Sequence, residues 1–286
     1  MVTCAIAPEI AAGSPGTDYS VSTQRLPEPP GRWQMLKTPS FRVLHHGRRD
    51  LAARVAAAAE RLRRELYETW VGAPPIGPWR PRCDLYLYRS LGGLITMTGG
   101  DAKAGEAVVR PSQLQPGAIL SRRVNLAASD HRLLDSTLPH EITHLVLGDL
   151  MAGKVPIWAN EGAATLAEGP GKQRYYAAVL QSFVDRRRVY FVDTLVKMLS
   201  YPDAPFKGLF YAQSASVVKF FLSLRSRSSF IGFLRFAQAH GYRWALRAVY
   251  EIDTFDELHR RWQRFVAQPV DADARTRPPR SAPPPG

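Results

Sequence analysis

The sequence predicts an α+β fold, with a mixed sheet in its first half and helices throughout its second half. Residues 41–46 and 83–89 alternate between apolar and polar side chains, the period of a strand with one buried face. From Gln173 onward, apolar residues instead recur at spacings of three and four, the period of a helix. Hydrophobic residues make up 45% of the 286 residues, which is enough for a substantial core.

The first half is predicted to combine these strands with one long helix. Asp50 is the predicted helix cap, and one helix face is formed by Leu51, Val55, Ala58, Leu62, Leu66 and Trp70. Prolines between Gly72 and Pro81 end the helix. The Gly-rich residues 91–117 predict a loop with a short strand at 106–110, and residues 119–126 predict another strand.

The middle of the chain predicts two helices joined by a tight turn. Either Asp130 or Ser136 is expected to cap the first, which runs to about Leu150. Pro139 then lies in its first turn, where proline is tolerated. A turn follows at residues 153–156, and the second helix begins at about Ile157.

The second half predicts further amphipathic helices. One stripe consists of Tyr176, Val179, Leu180, Phe183 and Val184, and residues 213–224 form a mostly apolar helix. Thr254 and Glu257 have the spacing of a capping box. The helix that they open has a stripe of Phe255, Leu258, Trp262 and Phe265.

The most informative residues are His140, Glu141 and His144. Two histidines four apart lie on one face of a helix and can bind one metal ion. Glu141 would stand next to that ion, where it can take a proton from a metal-bound water. Glu161 follows His144 by seventeen residues and would complete a His, His, Glu ligand set. Three protein ligands leave a fourth position open, which is typical of catalytic zinc sites.

These motifs resemble the gluzincins. His140-Glu141-x-x-His144, followed by Asn160-Glu161-Gly162-x-Ala164, is similar to the peptidase MA-like group, which is related to the thermolysin and M1 aminopeptidase types. The resemblance covers about residues 33–225. It implies a zincin-like mixed sheet with a zinc helix, and a zinc metallopeptidase that acts on peptide or protein substrates. His140, His144 and Glu161 would be the Zn²⁺ ligands and Glu141 the general base.

The resemblance also implies where a substrate binds. A strand shortly before the zinc helix, placed within residues 118–126, would offer an exposed edge that pairs with an extended peptide, or these residues form an ordinary strand of the sheet. Tyr211, Gln213 and Ser214 resemble the Tyr-x-Gln-Ser motif of the group. Tyr211 would then stabilise the oxyanion, or it is a core tyrosine that only packs. The Gly-x-Met-x-Asn segment of M1 aminopeptidases has no counterpart in residues 90–130, which favours an endopeptidase or a peptidase with one narrow substrate.

Ligating histidines usually donate their second N–H to an acceptor behind them. Asn160, Thr165 and Glu168 are the candidates for this role. A solvated surface position is the preferred interpretation of Glu168, although it follows Glu161 by two helical turns.

The domain organisation follows from these segments. Residues 33–170 would form the zincin-like catalytic subdomain and residues 171–268 the helical subdomain. Residues 1–32 and the Pro/Arg-rich residues 269–286 are predicted to be disordered. The first residues lack a basic region and a full apolar region, so no signal peptide is expected in the chain as given, and no stretch is long enough to span a membrane.

Two further observations concern alternative functions. The net charge of +13 comes mainly from arginines scattered over predicted helices, so no specific nucleic acid is expected as a partner. A basic nucleic-acid-associated protein therefore ranks behind a non-proteolytic, zinc-binding interaction protein on a peptidase fold, which is the main alternative. Cys4 and Cys83 have no metal-ligand spacing, and a disulfide between them is left open.

Overall fold

The computed structural model describes residues 33–99, 104–115 and 117–268. Within these ranges the chain forms five strands, ten α-helices and one π-helical turn, and its C-terminal part is mostly helical. The predicted α+β class is confirmed. The two terminal segments predicted to be disordered, and Cys4, lie outside the described residues, whereas Cys83 is fully buried.

The sheet contains five strands within the described ranges. They are β1 (Gln34–Lys37), β2 (Phe41–His45), β3 (Cys83–Tyr88), β4 (Gly105–Pro111) and β5 (Ile119–Ala127). Their order is β1-β2-β3-β5-β4, with β2, β3 and β5 parallel and the two outer strands antiparallel to their neighbours. The expected strands at 41–46, 83–89, 106–110 and 119–126 are therefore all present.

The sheet order corrects one prediction. The peptide-binding edge was expected within residues 118–126, but β5 lies between β3 and β4 and has no free edge. Strands β4 and β5 form an antiparallel pair, and β4 is the strand at the edge of the sheet. The edge next to the helix of the motif is thus β4.

The helices follow the strands in chain order. They are α1 (Arg49–Val71), α2 (Leu91–Thr98), the π-helical turn (Leu133–Thr137), α3 (Leu138–Leu150), α4 (Ile157–Ala167), α5 (Pro170–Asp185), α6 (Val192–Lys197), α7 (Ala204–Leu224), α8 (Arg227–His240), α9 (Tyr242–Tyr250) and α10 (Phe255–Ala267). None of them, over the described ranges, is long and apolar enough to cross a bilayer.

The main core lies between one face of the sheet and the helices. Helices α1 and α3 pack together on this face, and α4 packs between α3 and α7. Alternate residues of β3 and β5, such as Leu85 and Val124, are fully buried there. Helix α2 covers one end of the opposite face, where Leu94 packs with Tyr88 and Ala127.

The predicted caps of two helices are wrong. Arg48 occupies the N-cap of α1, and Asp50 lies inside the first turn, where its charge suits the helix dipole. Neither Asp130 nor Ser136 caps α3, because the π-helical turn runs directly into it. Asp130 accepts instead from the Thr137 hydroxyl at 2.5 Å, and Ser136 accepts from the Gly169 N–H at 3.3 Å.

The predicted cap of the last helix is confirmed. The Thr254 hydroxyl accepts from the Glu257 N–H at 3.2 Å, and the Glu257 carboxylate accepts from the Asp253 N–H at 3.2 Å. Two N–H groups that lack helical partners are thereby satisfied. The predicted stripe is also confirmed, since Leu258 and Trp262 are buried.

Candidate metal and catalytic site

The three candidate metal ligands meet where α3 packs against α4. Helix α3 buries Ile142, Leu145 and Val146, and this fixes which way its histidine face points. Single ligand atoms of His140, His144 and Glu161 all lie within 4.8 Å of one another. The structure therefore brings together the three residues that the sequence selected.

The geometry around Glu161 fits a small cation. Its Oε2 atom is 3.4 Å from Nε2 of His140 and 3.7 Å from Nε2 of His144. This oxygen is buried, and it has no hydrogen-bond partner among the described residues. A buried carboxylate oxygen without a donor is costly, and a metal held by two imidazole nitrogens and one carboxylate oxygen would satisfy it. Zinc is commonly bound by such a ligand set.

Glu141 lies beside this group, against the edge strand. It is 5% exposed, and burial raises its pKa to about 8, with Glu161 adding to the rise and His140 opposing it. A Cβ atom built on Gly105 would lie 2.6 Å from Oε1 of Glu141. Only glycine allows β4 to pass so close, and the backbone of the edge strand therefore adjoins the candidate general base.

Glu168 is the acceptor behind His140, and its predicted solvated position is wrong. Glu168 is buried, and its Oε1 accepts from Nδ1 of His140 at 3.0 Å. Burial acts to lower the pKa of His140, but contacts with Glu161 and Glu168 outweigh it and raise this pKa to about 10.

The other two candidates, Asn160 and Thr165, do not accept from a histidine ring. Nδ1 of His144 and Oδ1 of Asn160 are both buried and have no hydrogen-bond partner among the described residues. Burial lowers the pKa of His144, and the charge of Glu161 opposes this only in part. Thr165 is buried, and its hydroxyl makes no hydrogen bond to another described residue. Thr165 is therefore not the partner of a histidine.

Tyr201 is the residue that the sequence did not indicate. Its hydroxyl donates to Oε1 of Glu161 at 2.5 Å, across forty positions of the chain. Burial acts to raise the pKa of Glu161, but His144, His140 and Tyr201 together hold it at about 2. Tyr201 lies in the irregular connection between α6 and α7 and belongs to no motif, so no signal in the sequence points to it.

Tyr211 lies near the site, on α7. Its ring stacks on that of Tyr201, with centroids 6.4 Å apart and planes 27° apart. The residue is buried, and burial with the nearby charge of Glu161 raises its pKa far above the ordinary value. Both readings of Tyr211, as a donor to the reaction and as a packed tyrosine, are compatible with this position.

The fold and the site define an α+β protein with two histidines on one helix and a glutamate on the next. The sequence profile of the Peptidase MA superfamily matches residues 126–268, half of the chain, and the chain belongs to this superfamily. The matched segment contains α3, α4 and the following helices, and therefore all three candidate ligands. No curated protein is significantly similar to the chain. The superfamily makes a peptidase the expected class of enzyme.

Proposed function

We propose that the chain is a zinc-dependent metallopeptidase that hydrolyses peptide bonds as an endopeptidase. The observation that carries the proposal is the convergence of His140 Nε2, His144 Nε2 and Glu161 Oε2 beside the buried carboxyl of Glu141. Membership of the Peptidase MA superfamily also supports it. His140, His144 and Glu161 would hold the zinc ion.

Held by His140, His144 and Glu161, a zinc ion would supply a bound water of lowered pKa and would polarise the carbonyl of the scissile bond. Glu141 takes a proton from the attacking water while the water oxygen bonds to the carbonyl carbon. Glu141 then gives this proton to the leaving amine as the carbon–nitrogen bond breaks. Glu141 is placed for this relay because its carboxyl is buried and adjoins the candidate ligand His140 along α3.

The peptide would bind along β4. It is an outermost strand of the sheet over the described residues, and an extended peptide can pair with such an edge regardless of its sequence. Gly105 brings the strand against Glu141, so a peptide paired there would pass over the general base. This arrangement selects for peptide backbone and is compatible with cleavage inside a chain.

Tyr211 is the proposed donor to the oxyanion. It lies on the helical side of the site, next to the residue that contacts Glu161. Its raised pKa keeps the hydroxyl protonated at neutral pH, as a donor must be.

Elemental analysis tests the metal site first. Purified wild type should contain about one zinc per chain, and Glu161→Ala should contain clearly less, because the carboxylate ligand is lost. A folded wild-type protein without zinc would contradict the proposal.

Glu141→Gln tests the reaction. The variant should keep its zinc, because Glu141 is not a ligand, and lose at least about a hundredfold in turnover, because the amide cannot carry the proton. Cleavage of an unstructured protein, followed by mass spectrometry, measures this loss. Undiminished cleavage by Glu141→Gln would contradict the role of Glu141 as general base.

One observation favours a second candidate, a zinc-binding interaction protein without peptidase activity. The side chains of His140, His144 and Glu161 are 16%, 11% and 6% exposed, so the site is nearly closed. A structural metal site needs no substrate access. Stoichiometric zinc in a protein that cleaves no peptide library would establish this alternative.

A further inference from the structure

We propose that Tyr201 is a positioning residue that holds one oxygen of Glu161, so that the carboxylate offers only its other oxygen to the metal. This inference rests on the zinc site proposed above. It assigns a role in that site to a residue outside the sequence motifs.

The two oxygens of Glu161 have different surroundings. Oε1 accepts from the Tyr201 hydroxyl at 2.5 Å. Oε2 faces Nε2 of His140 at 3.4 Å and Nε2 of His144 at 3.7 Å. The last torsion of a glutamate is intrinsically broad and two-fold, so the side chain alone does not decide which oxygen faces the histidines. The hydrogen bond from Tyr201 removes this freedom.

The hydroxyl of Tyr201 is itself held in place by ring packing. Its ring meets Phe210 edge-on, with centroids 5.8 Å apart, and stacks on Tyr211. Both partners lie on α7, and Tyr201 lies just before that helix begins at Ala204. Tyr201 is 47% exposed, so α7 contacts only part of its ring, while its hydroxyl reaches a candidate ligand on α4.

The hydrogen bond from Tyr201 affects whether the fourth coordination position of the metal stays open. A carboxylate can bind a metal through one oxygen or through two. With Oε1 free to turn, Glu161 could place both oxygens on the ion and occupy the position that a catalytic site keeps for water. A hydrogen bond to Oε1 favours binding through Oε2 alone.

Tyr201→Phe tests this role with little disturbance, because it removes the hydroxyl and keeps the ring. Chelator competition should show zinc binding about 10–100-fold weaker than in the wild type, the usual effect of losing a group that orients a ligand. Cobalt in place of zinc should show weaker visible absorption, because binding through both carboxylate oxygens raises the coordination number. Thermal unfolding of the metal-free variant should stay close to that of the wild type.

Tyr175→Phe is the matched control. Tyr175 is an exposed tyrosine whose ring contacts Tyr176, and its loss of a hydroxyl should leave zinc affinity and the cobalt spectrum unchanged. If Tyr201→Phe matches the wild type in affinity, or weakens binding without changing the cobalt spectrum, the positioning role is overturned while the zinc site stands. A wild-type chain that binds neither metal would overturn the zinc site and this role with it.

Discussion

At the residue scale, the contact between His140 and Glu168 orients a candidate ligand. Nδ1 donates to the carboxylate, which leaves Nε2 as the nitrogen that faces Glu161. The negative charge of Glu168 also makes the imidazole a better ligand. Glu168 should therefore affect metal binding without touching the metal.

Glu168→Gln measures this effect. The amide oxygen can still accept from Nδ1 but carries no charge, so zinc affinity should fall by about tenfold, the lower end for such partners. Chelator competition gives the affinity directly. Glu65→Gln, at a surface position of α1, should leave it unchanged. Equal affinities in both variants would show that the charge of Glu168 does not tune the site.

The site residues divide into those that helical spacing could predict and those that it could not. His140 and His144 lie on one face because of the helical period alone. The helical period places Glu168 near the face of Glu161, but most glutamates are exposed, and this general tendency led to the wrong prediction. In the structure α4 ends at Ala167, and the buried carboxylate of Glu168 lies against His140 on α3. Tyr201 depends on how α7 packs, which no local pattern encodes.

At the element scale, Gly162 of α4 packs directly against the backbone of α7. A Cβ atom built there would lie 2.5 Å from the backbone carbonyl oxygen of Ser214 and 2.7 Å from Cγ2 of Val218. A backbone atom cannot move aside as a flexible side chain can. The glycine of the Asn-Glu-Gly segment is therefore needed for packing, and it keeps Glu161 close to the helix that carries Tyr211.

Gly162→Ala should destabilise the protein by about 1–3 kcal/mol, because the added methyl group forces two packed helices apart. Gly232→Ala is the matched control, since Gly232 lies inside α8 with no atom near its Cβ position. It should stabilise the protein by about 0.5–1 kcal/mol through helix propensity. Urea unfolding gives both values. Opposite signs are expected, and a neutral Gly162→Ala would show that α7 shifts without cost.

Helices and strands could be predicted where apolar residues recur at a helical or strand spacing over an uninterrupted stretch. This is the case for helices α1 and α10 and for strands β2 and β3. Helix α2 was missed because Gly92 and Gly93 interrupt its first turn, although Ser90 caps it by accepting from the Gly93 N–H. Strand β1 is four residues long and has only one partly buried position. The order of strands depends on pairing between distant segments, and this is why the free edge was assigned to β5 instead of β4.

At the scale of the whole molecule, Asp149 ties α3 to the rest of the N-terminal half. Its carboxylate accepts hydrogen bonds from Tyr67 on α1, from Trp79 and from Arg122 on β5. Arg122 is almost fully buried, and its guanidinium also lies over the ring of Trp79. One carboxylate near the end of the histidine-bearing helix thus joins that helix to α1 and the sheet.

Asp149→Asn should therefore lower the stability of the whole domain. The substitution keeps the shape but leaves the Arg122 charge buried without its counter-ion, which should cost on the order of 3 kcal/mol. For a domain of this size, such a loss lowers Tm by roughly 6–12 °C. The exposed pair Arg225 and Glu251 provides the control. Glu251→Gln should stay within about 2 °C of the wild type, because water screens that pair. Thermal unfolding of the three proteins measures both shifts, and equal shifts would mean that the Asp149 cluster does not hold the sheet and the candidate metal helix together.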